Sequence, residues 1–568
     1  MERRVLLAIL LSLAVLYGYQ ALVVKPKPPD AQAPAPAAQS TTAPAAATIQ
    51  NPPAPAPAET PARNADAIVS ESAERDITIE TDTVVAVFTN RGARLKSWRL
   101  TRYLNEHKQP QELIVPLPGQ PLPFTLGVPD APTNKAINDA LFAVKNEPLA
   151  GSTSPVALSF EYRDNAGLAV TKEFHLDPSS YVLTVRVTVN DGAREIPASI
   201  LWGPAVGDSG QTSSYTQKAE GILLPQGAKV QRLAPKDLAK QNTYDGPFRF
   251  AGVDDNYFMT VAMPDGALKV MYQPIAVPGP NPKDPPHQFV AYSVEPPSPS
   301  ALRFFVGPKD IDVLSKIGPD MKNAINFGMF DIIVVPLLRS LKGVNAFIGN
   351  YGWSIVVLTI IINVILFPLQ HKSIVSMRKM QEIQPQVKAI QDRYAKYKAT
   401  DPEKQKMNQE LMALYRERGV NPASGCVPIL LTMPLLLAMW AMLQTSIELR
   451  GAAFLWLPDL TQRDPYYITP ILMGATQFWQ QKITPAAGAD PAQQKMMMIM
   501  PLVMTVMFIT LPAGALIYYT VSGLLRIVQQ YVTNSIIGPP KVRAPRPPAE
   551  RRVKRVAPAK PDAATDKG

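Results

Sequence analysis

The sequence predicts a multi-pass α-helical membrane protein with six spans, a large antiparallel β-sandwich domain after the first of them, and a helical hairpin on the cytoplasmic side. Three observations predict it. Five apolar segments between residues 350 and 536 are long enough, or nearly so, to cross a hydrocarbon core of about 30 Å, and a sixth opens the chain behind Arg3 and Arg4. Between residues 68 and 318, short runs of alternating apolar and polar residues recur, separated by turn residues. A charged, methionine-studded segment, 371–421, stands between SIVVLTIIINVILFPL (354–369) and CVPILLTMPLLLAMWAML (426–443).

The first apolar segment, residues 5–24, runs on through Leu22, Val23 and Val24, and no small-x-small cleavage site follows its leucine-rich core cleanly. A cleaved signal peptide and an uncleaved anchor both begin this way; the length of the run favours an anchor over 1–24. Residues 25–67 are mostly Pro and Ala, a composition that buries no core and stays extended, so they read as a tether. From 68 to 318, alternation in DITIETDTVVAVFT (76–89) and in the runs 156–162, 168–176 and 181–190 predicts strands. The turns are Asp164-Asn165-Ala166-Gly167 and Asp177-Pro178-Ser179-Ser180. Strands so spaced suggest a sandwich, and no helical period interrupts them before residues 309–317.

In the region 319–349, Pro336 fits the first turn of a helix that puts Leu337, Leu341, Val344 and Ile348 on one face. It is too short to span and is expected to lie flat on the outer leaflet. Span two follows at 350–370. In the hairpin, Met377, Met380, Ile383, Val387, Ile390, Tyr394 and Tyr397 step by three and four, with Pro385 expected to kink the helix. Thr400-Asp401-Pro402-Glu403 marks the start of a second helix, along which Met407, Leu411 and Leu414 continue the stripe. The two stripes can pack on each other, or their flexible thioethers can meet varied apolar partners; both readings are open. Spans three to six lie within 422–537, at about 425–447, 467–483, 496–511 and 513–536, and a basic tail, 538–568, closes the chain.

The net charge of +11 is unevenly spread. The hairpin carries eleven Lys/Arg against six Asp/Glu, the tail nine against three, and residues 68–318 carry 24 against 27. The positive-inside rule therefore puts the hairpin, the tail and both termini in the cytoplasm, and the β-domain across the membrane. A single cysteine, Cys426, excludes an intramolecular disulfide and a cysteine-based zinc site. Gly207-Asp208-Ser209-Gly210 looks like a protease nucleophile motif but lacks its following glycine, and only four histidines exist, so a turn is the better reading. Asp254-Asp255 reads as a turn as well. There is no GxxxxGK[ST] loop and no HExxH. No catalytic residue, cofactor or metal is expected, and no DNA partner.

Polar residues inside the spans are more informative. Asn363 stands in span two with Thr359 one turn away on the same face, and Arg526 lies about thirteen residues into the last span, on one face with Tyr519. A cation at such depth costs about 2.5–3.5 kcal/mol on insertion scales unless it meets water or a partner. Arg526 either snorkels to the cytoplasmic interface or lines a hydrated cavity shared with Asn363.

Several segments together resemble one family. Asn421-Pro422-Ala423-Ser424-Gly425-Cys426-Val427-Pro428, followed by Met433-Pro434, is similar to the NPxxGCxPxLxQxP signature of the YidC membrane protein insertases. FFVGPKDIDVL (304–314), GNYGWSI (349–355), DPYYITPILMG (464–474) and the Tyr518-Tyr519…Gln529-Gln530 span are similar too. The match runs nearly end to end and includes the anchor and periplasmic domain of the Gram-negative type, as against the shorter Oxa and Alb relatives. The resemblance implies an inner-membrane protein with a five-helix core around a hydrophilic groove, open to cytoplasm and lipid, that inserts and helps fold nascent membrane proteins.

The implied groove residues are Thr359, Asn363, Thr432, Tyr518, Tyr519 and Arg526, with Met377, Met380, Met407 and Leu411 touching clients on the hairpin. Implied partners are nascent membrane proteins, the Sec translocon, the ribosome through the basic tail, and anionic lipids. The chain departs from the family pattern in three places. The groove arginine of the second span is Asn363 here, the signature glutamine is Thr432, and the asparagine usual after Ser522 is Gly523. A solute transporter or channel with a periplasmic binding domain is the rival class; it predicts internal repeats, and the sequence has none that we detect. A membrane-anchored carbohydrate-binding or scaffold protein is a second rival, for which five further spans are excessive.

Overall fold

The structure is a computed structural model of the 568-residue chain. It describes residues 65–538 except 106, 115, 118, 148–155, 204–205, 207–218, 279–285, 297–300, 398–400, 421–426 and 484–490. The anchor segment, most of the Pro/Ala tether, the Gly207–Gly210 run, Thr400, Cys426 and the basic tail thus lie outside the described residues. Two units separate: one holds Thr60–Gln381 with Ala423–Pro540, and a smaller one includes Glu382–Pro422.

Strand-forming alternation in the sequence becomes sheet directly. Val156–Asp164 and Leu168–Leu176 bury every second side chain and pair antiparallel. Their turn closes because Asp164 Oδ1 accepts from the N–H groups of Ala166 (3.0 Å) and Leu168 (2.8 Å), with Gly167 at φ +96°. Val182–Asp191 follows after the Asp177 turn. Every pairing between described strands is antiparallel.

The two faces of the expected sandwich are not separate sheets, however. The strand Thr243–Asp254 pairs through Thr243–Pro247 with Ala267–Val277, and through Ala251–Asp254 with Phe258–Met263, so one sheet continues around the bend. Gly246 and Pro247 end the first pairing, where a ladder is easily interrupted. Past the bend, a Cβ at Gly252 would lie 2.1 Å from the Thr260 carbonyl oxygen, so only glycine fits there.

Aromatic rings fill the space between the arms. Phe124 meets Phe174 (5.3 Å) and Phe304 (5.3 Å) from one arm and Trp202 (5.4 Å) from the other. A separate four-stranded sheet, opened by Asp76–Glu80 and Val84–Thr89, brings Phe88 to Phe174 (4.9 Å). It also brings Trp98, whose Nε1 donates to Val306 O at 3.0 Å.

Two sequence expectations fail in this domain. A helix, α1 (Ala131–Asp139), interrupts the strands, its start capped by Asp130 accepting from Thr133 N. It buries only Thr133 and Ile137, too few apolar residues to show a period. A one-turn helix, α2 (Pro235–Leu238), follows later. Asp254, expected in a turn, is fully buried between Arg232 (2.9 Å) and Lys309 (2.8 Å). Burial pulls the Lys309 pKa below the lysine range, an effect Asp254 opposes. Asp255 alone serves the turn, accepting from Tyr257 N and Phe258 N.

After α3 (Ile311–Ile317), α4 (Asp331–Ile348) leads to α5 (Tyr351–Glu382). The amphipathic helix α4 begins five residues before Pro336, and it buries Val334, Leu338 and Leu341. The expected Leu337–Ile348 face is therefore rotated by one residue, and Ile348 is exposed. Among the described residues, α5 is the one helix of at least 18 residues apolar enough to cross a membrane. It runs on past residue 370 to Glu382, and the break expected at Pro385 is the start of α6 (Gln384–Arg393), with the proline in its first turn. Next are α7 (Pro402–Glu417), α8 (Val427–Thr445), α9 (Ile468–Ile483), α10 (Pro491–Met507) and α11 (Ala513–Ile537).

Inter-helix contacts fix the relative directions of the long helices. Gln529 Nε2 donates to Asn363 O (3.3 Å), His371 Nδ1 lies 3.1 Å from Thr533 Oγ1, and Arg378 Nη1 donates to Gly538 O (2.6 Å). Both sequence numbers rise together, so α5 and α11 are parallel. The start of α5 meets the segment after α8, with Asn350 Nδ2 donating to Ala453 O at 3.1 Å and Trp353 against Phe454 at 5.3 Å. Gly514 N, at the start of α11, donates to Leu460 O (2.9 Å) in that same segment. The β-domain reaches this end as well: Asn256 Nδ2 donates to Gln444 O (3.0 Å), and Arg450 donates to Leu104 O (3.1 Å) and Gln111 Oε1 (2.9 Å). The opposite ends of α5 and α11 point away from the β-domain.

Candidate functional site

Small residues let the last helices approach closely. A Cβ on Gly474 of α9 would lie 2.0 Å from Thr505 Oγ1 of α10, and one on Gly523 of α11 would lie 2.7 Å from Thr476 Cγ2 of α9. The threonines spend their hydroxyls on their own helices: Thr476 donates to Leu472 O, Thr505 to Pro501 O and Thr520 to Leu516 O, at 2.7–2.8 Å. None of these three hydroxyls is then left facing hydrocarbon. Gly523 is where the family pattern has asparagine, and Thr476 occupies the room that side chain needs. Gly523→Asn is expected to push α9 from α11 and destabilise the protein by about 1–3 kcal/mol, read as a lowered midpoint of thermal unfolding in detergent.

Between α8, α9, α10 and α11 lies a cavity of about 420 Å³. Arg526, Ser522 and Tyr519 enter it from α11, facing Gln477, Gln480 and Gln481 of α9; Met497 and Met500 of α10 supply an apolar side. Arg526 is half-buried and has no ion-pair or hydrogen-bond partner among the described residues. A cation in an apolar helical bundle, surrounded by amide groups and left without a carboxylate, makes a site for a transient anion or for water.

The residues singled out from sequence do not all meet. Tyr519 and Arg526 share the cavity, with Tyr519 stacked on Phe508 at 5.9 Å. Tyr518 is turned into the packed core and 5% exposed. Asn363 and Thr359 are buried on α5, and among the described residues α5 contributes nothing to the cavity wall. Asn363 Nδ2 donates to Thr359 O (2.8 Å), and Thr359 Oγ1 donates to Ile355 O (2.6 Å), so both are satisfied by their own helix. The cavity that Arg526 was expected to share with Asn363 is thus built by other helices. Thr432 lies in α8, but its side chain is outside the described residues. The glutamines were missed, although their spacing at 477, 480 and 481 on one helical face was readable.

In the smaller unit, α6 and α7 pack through Val387, Ile390, Leu411 and Tyr415, all buried. Arg393 pairs with Glu410 (3.1 Å) and Arg418 Nη2 donates to Gln386 Oε1 (3.3 Å), so the helices are antiparallel. Asp401 caps α7 by accepting from Glu403 N. Leu411 thus belongs to the hairpin's own core. Met407 is half-buried on α7, and Met377 and Met380 are half-buried on the last turns of α5.

Comparison with known proteins covers nearly the whole chain. A family model described as the YidC periplasmic domain matches residues 76–340, and one described as the 60Kd inner membrane protein matches residues 343–539. The membrane protein insertase YidC of Geobacter sulfurreducens is 33% identical over 569 residues, covering 94% of this chain and 99% of that one. The YidC of Syntrophus aciditrophicus is 31% identical over 563 residues, with the same coverage. Among solved structures, an active YidC insertase with its first transmembrane domain resolved matches 83% of this chain and 95% of its own, at 19% identity and a TM-score of 0.34.

Proposed function

Since this chain belongs to the YidC family of membrane protein insertases, an inner-membrane family with a periplasmic domain, we propose that it inserts nascent inner-membrane proteins through the Arg526 cavity. The observation that carries this reading is an unpaired guanidinium, amid amide side chains, inside a cavity walled by apolar helices. Such a cavity shortens the hydrocarbon that a client's polar tail must cross. A client span with ten strongly apolar residues gains roughly 3–6 kcal/mol on the biological insertion scale. That is comparable to the cost of carrying one or two charges across. Lowering the barrier is then sufficient, and no nucleotide is needed.

On this reading six spans cross the membrane, 5–24 and the five from α5 and α8–α11, with both termini in the cytoplasm. Parallel α5 and α11, both ending away from the β-domain, support that arrangement. The hairpin then receives clients on the cytoplasmic side through exposed and half-buried thioethers such as Met412 and Met407. Its buried stripes hold the two helices together. The basic tail binds ribosomal RNA or anionic lipid, and the Sec translocon is a partner for larger clients. Arg526 supplies the cation that the family keeps in its second span, where this chain has Asn363.

Reconstitution of the protein alone into liposomes tests the reading with a small two-span client carrying a short acidic translocated loop. Protease-protected client in the absence of ATP is the expected result. Solute flux with no protected client sinks the insertase reading in favour of a transporter.

A further inference from the structure

A groove of about 920 Å³ opens where the β-domain meets α4. Its inner wall is apolar, with Ile325 and Phe327 buried and Val335 half-buried. Its rim is cationic. Lys229, Lys322 and Arg339 are exposed, and no side chain of the three takes part in an ion pair or hydrogen bond among the described residues. Asp331 is the one carboxylate among the lining side chains. Arg232 also reaches the groove, but Glu220 (3.1 Å) and Asp254 (2.9 Å) already pair with it.

Two further features point to what fills it. The first residues of α4, Asp331 and Ile332, line the groove, and no side chain caps the helix start, so its amides add positive potential. At the same place Met329 and Ile332 expose 72% and 85% of their surfaces, and Gly328–Phe330 and α4 pack on the apolar helix α8. Cations above an apolar ledge, beside an apolar helix read as a span, match a lipid in both charge and depth.

We infer that this groove holds an anionic phospholipid of the outer leaflet. Its phosphate sits among Lys229, Lys322 and Arg339, and its acyl chains lie along Val335, Ile332 and Met329. A zwitterionic lipid offers the same chains but loses the net attraction. A bound lipid would tie the β-domain to the leaflet beside α4. The inference rests on the reading that lays α4 at the membrane surface.

Full-length protein carrying a benzophenone side chain at Asn326 tests it, in vesicles containing radiolabelled phosphatidylglycerol or radiolabelled phosphatidylcholine. Phosphatidylglycerol is expected to be labelled at least fivefold more, since even one cation near an anionic surface is worth about fivefold in binding and three line this rim. That preference is expected to vanish in the K229Q/K322Q/R339Q variant, whose substituted side chains are exposed and leave the core untouched. Asp331→Asn is expected to raise the preference, and a lower one counts against the site. Equal labelling of the two lipids, or an unchanged preference in the triple variant, overturns the lipid site and leaves α4 at the membrane. No labelling of either lipid overturns the membrane placement of α4 and the site with it.

Discussion

An Arg526→Leu variant is expected to insert clients with acidic translocated tails about ten- to a hundredfold more slowly, and clients with neutral tails at the normal rate. The magnitude is that of one charge-assisted hydrogen bond, about 1.5–3 kcal/mol, lost where no other cation among the described residues lines the cavity. Arg526→Lys keeps the charge and is expected to retain most activity with acidic tails. Placing an arginine at position 363 in the leucine background asks whether a cation on α5, outside the described cavity wall, can act in its place, and N363R/R526L is expected to recover insertion in part. Recovery has to displace the Asn363–Thr359 hydrogen bond, which makes it incomplete. Normal insertion of acidic-tailed clients by R526L alone would falsify the role assigned to this residue.

The second large effect is expected at Lys342, on α4. Its ammonium is shared by Glu448 (3.0 Å), Asp310 (3.4 Å) and Asp312, which come from the segment after α8 and from the start of α3. Three elements of the β-domain and membrane helices therefore meet at one cation. Lys342→Met leaves Glu448, only 6% exposed at its side chain, buried without its counter-charge. Removing one partner of such a pair costs about 3–5 kcal/mol. The double variant K342M/E448L, which removes both charges, is expected to regain most of it. Denaturant unfolding of the four proteins of this cycle measures the coupling; no recovery in the double variant would show that Lys342 acts through packing instead.

The pH dependence of that loss has a definite sign. Burial alone would lower the Lys342 pKa, but Glu448, Asp312 and Asp310 outweigh it and hold it above the lysine range. A base so shifted contributes stability that is complete below its ordinary pKa of 10.5, so the contribution is whole across neutral pH. Burial raises the Glu448 pKa even though Lys342 opposes it. Without Lys342 that rise is larger, and an acid with a raised folded pKa loses its contribution as pH climbs through it. The K342M variant is therefore expected to lose more stability at pH 8 than at pH 5, in parallel unfolding measurements.

Much of the helical and strand content was legible because its signals are local. Leu168–Leu176 alternates over nine residues, and its turn chemistry is written in Asp164 and Gly167. α5 is apolar for longer than any core helix needs, and Asp401 announces the start of α7. Elements with weak local signals were lost. α1 buries two side chains, and the early start of α4 is hidden because Pro336 looks like a first-turn residue. Asp254 could not be distinguished from a turn acid, since its partners lie 22 and 55 residues away.

By itself, the sequence determined which segments alternate, which are apolar enough for lipid, how charge divides along the chain, and which family motifs are present. Those properties depend on neighbours within a turn or a strand. Tertiary structure decided which polar residues keep company. Arg526 shares a cavity with Gln477, Gln480 and Gln481 rather than with Asn363, because Gly474 and Gly523 let α9 close on α10 and α11, while Asn363 turns back to its own helix. A helical residue's depth can be counted along the chain, but what it faces depends on how closely the neighbouring helices pack, and that is set by side chains far away in sequence.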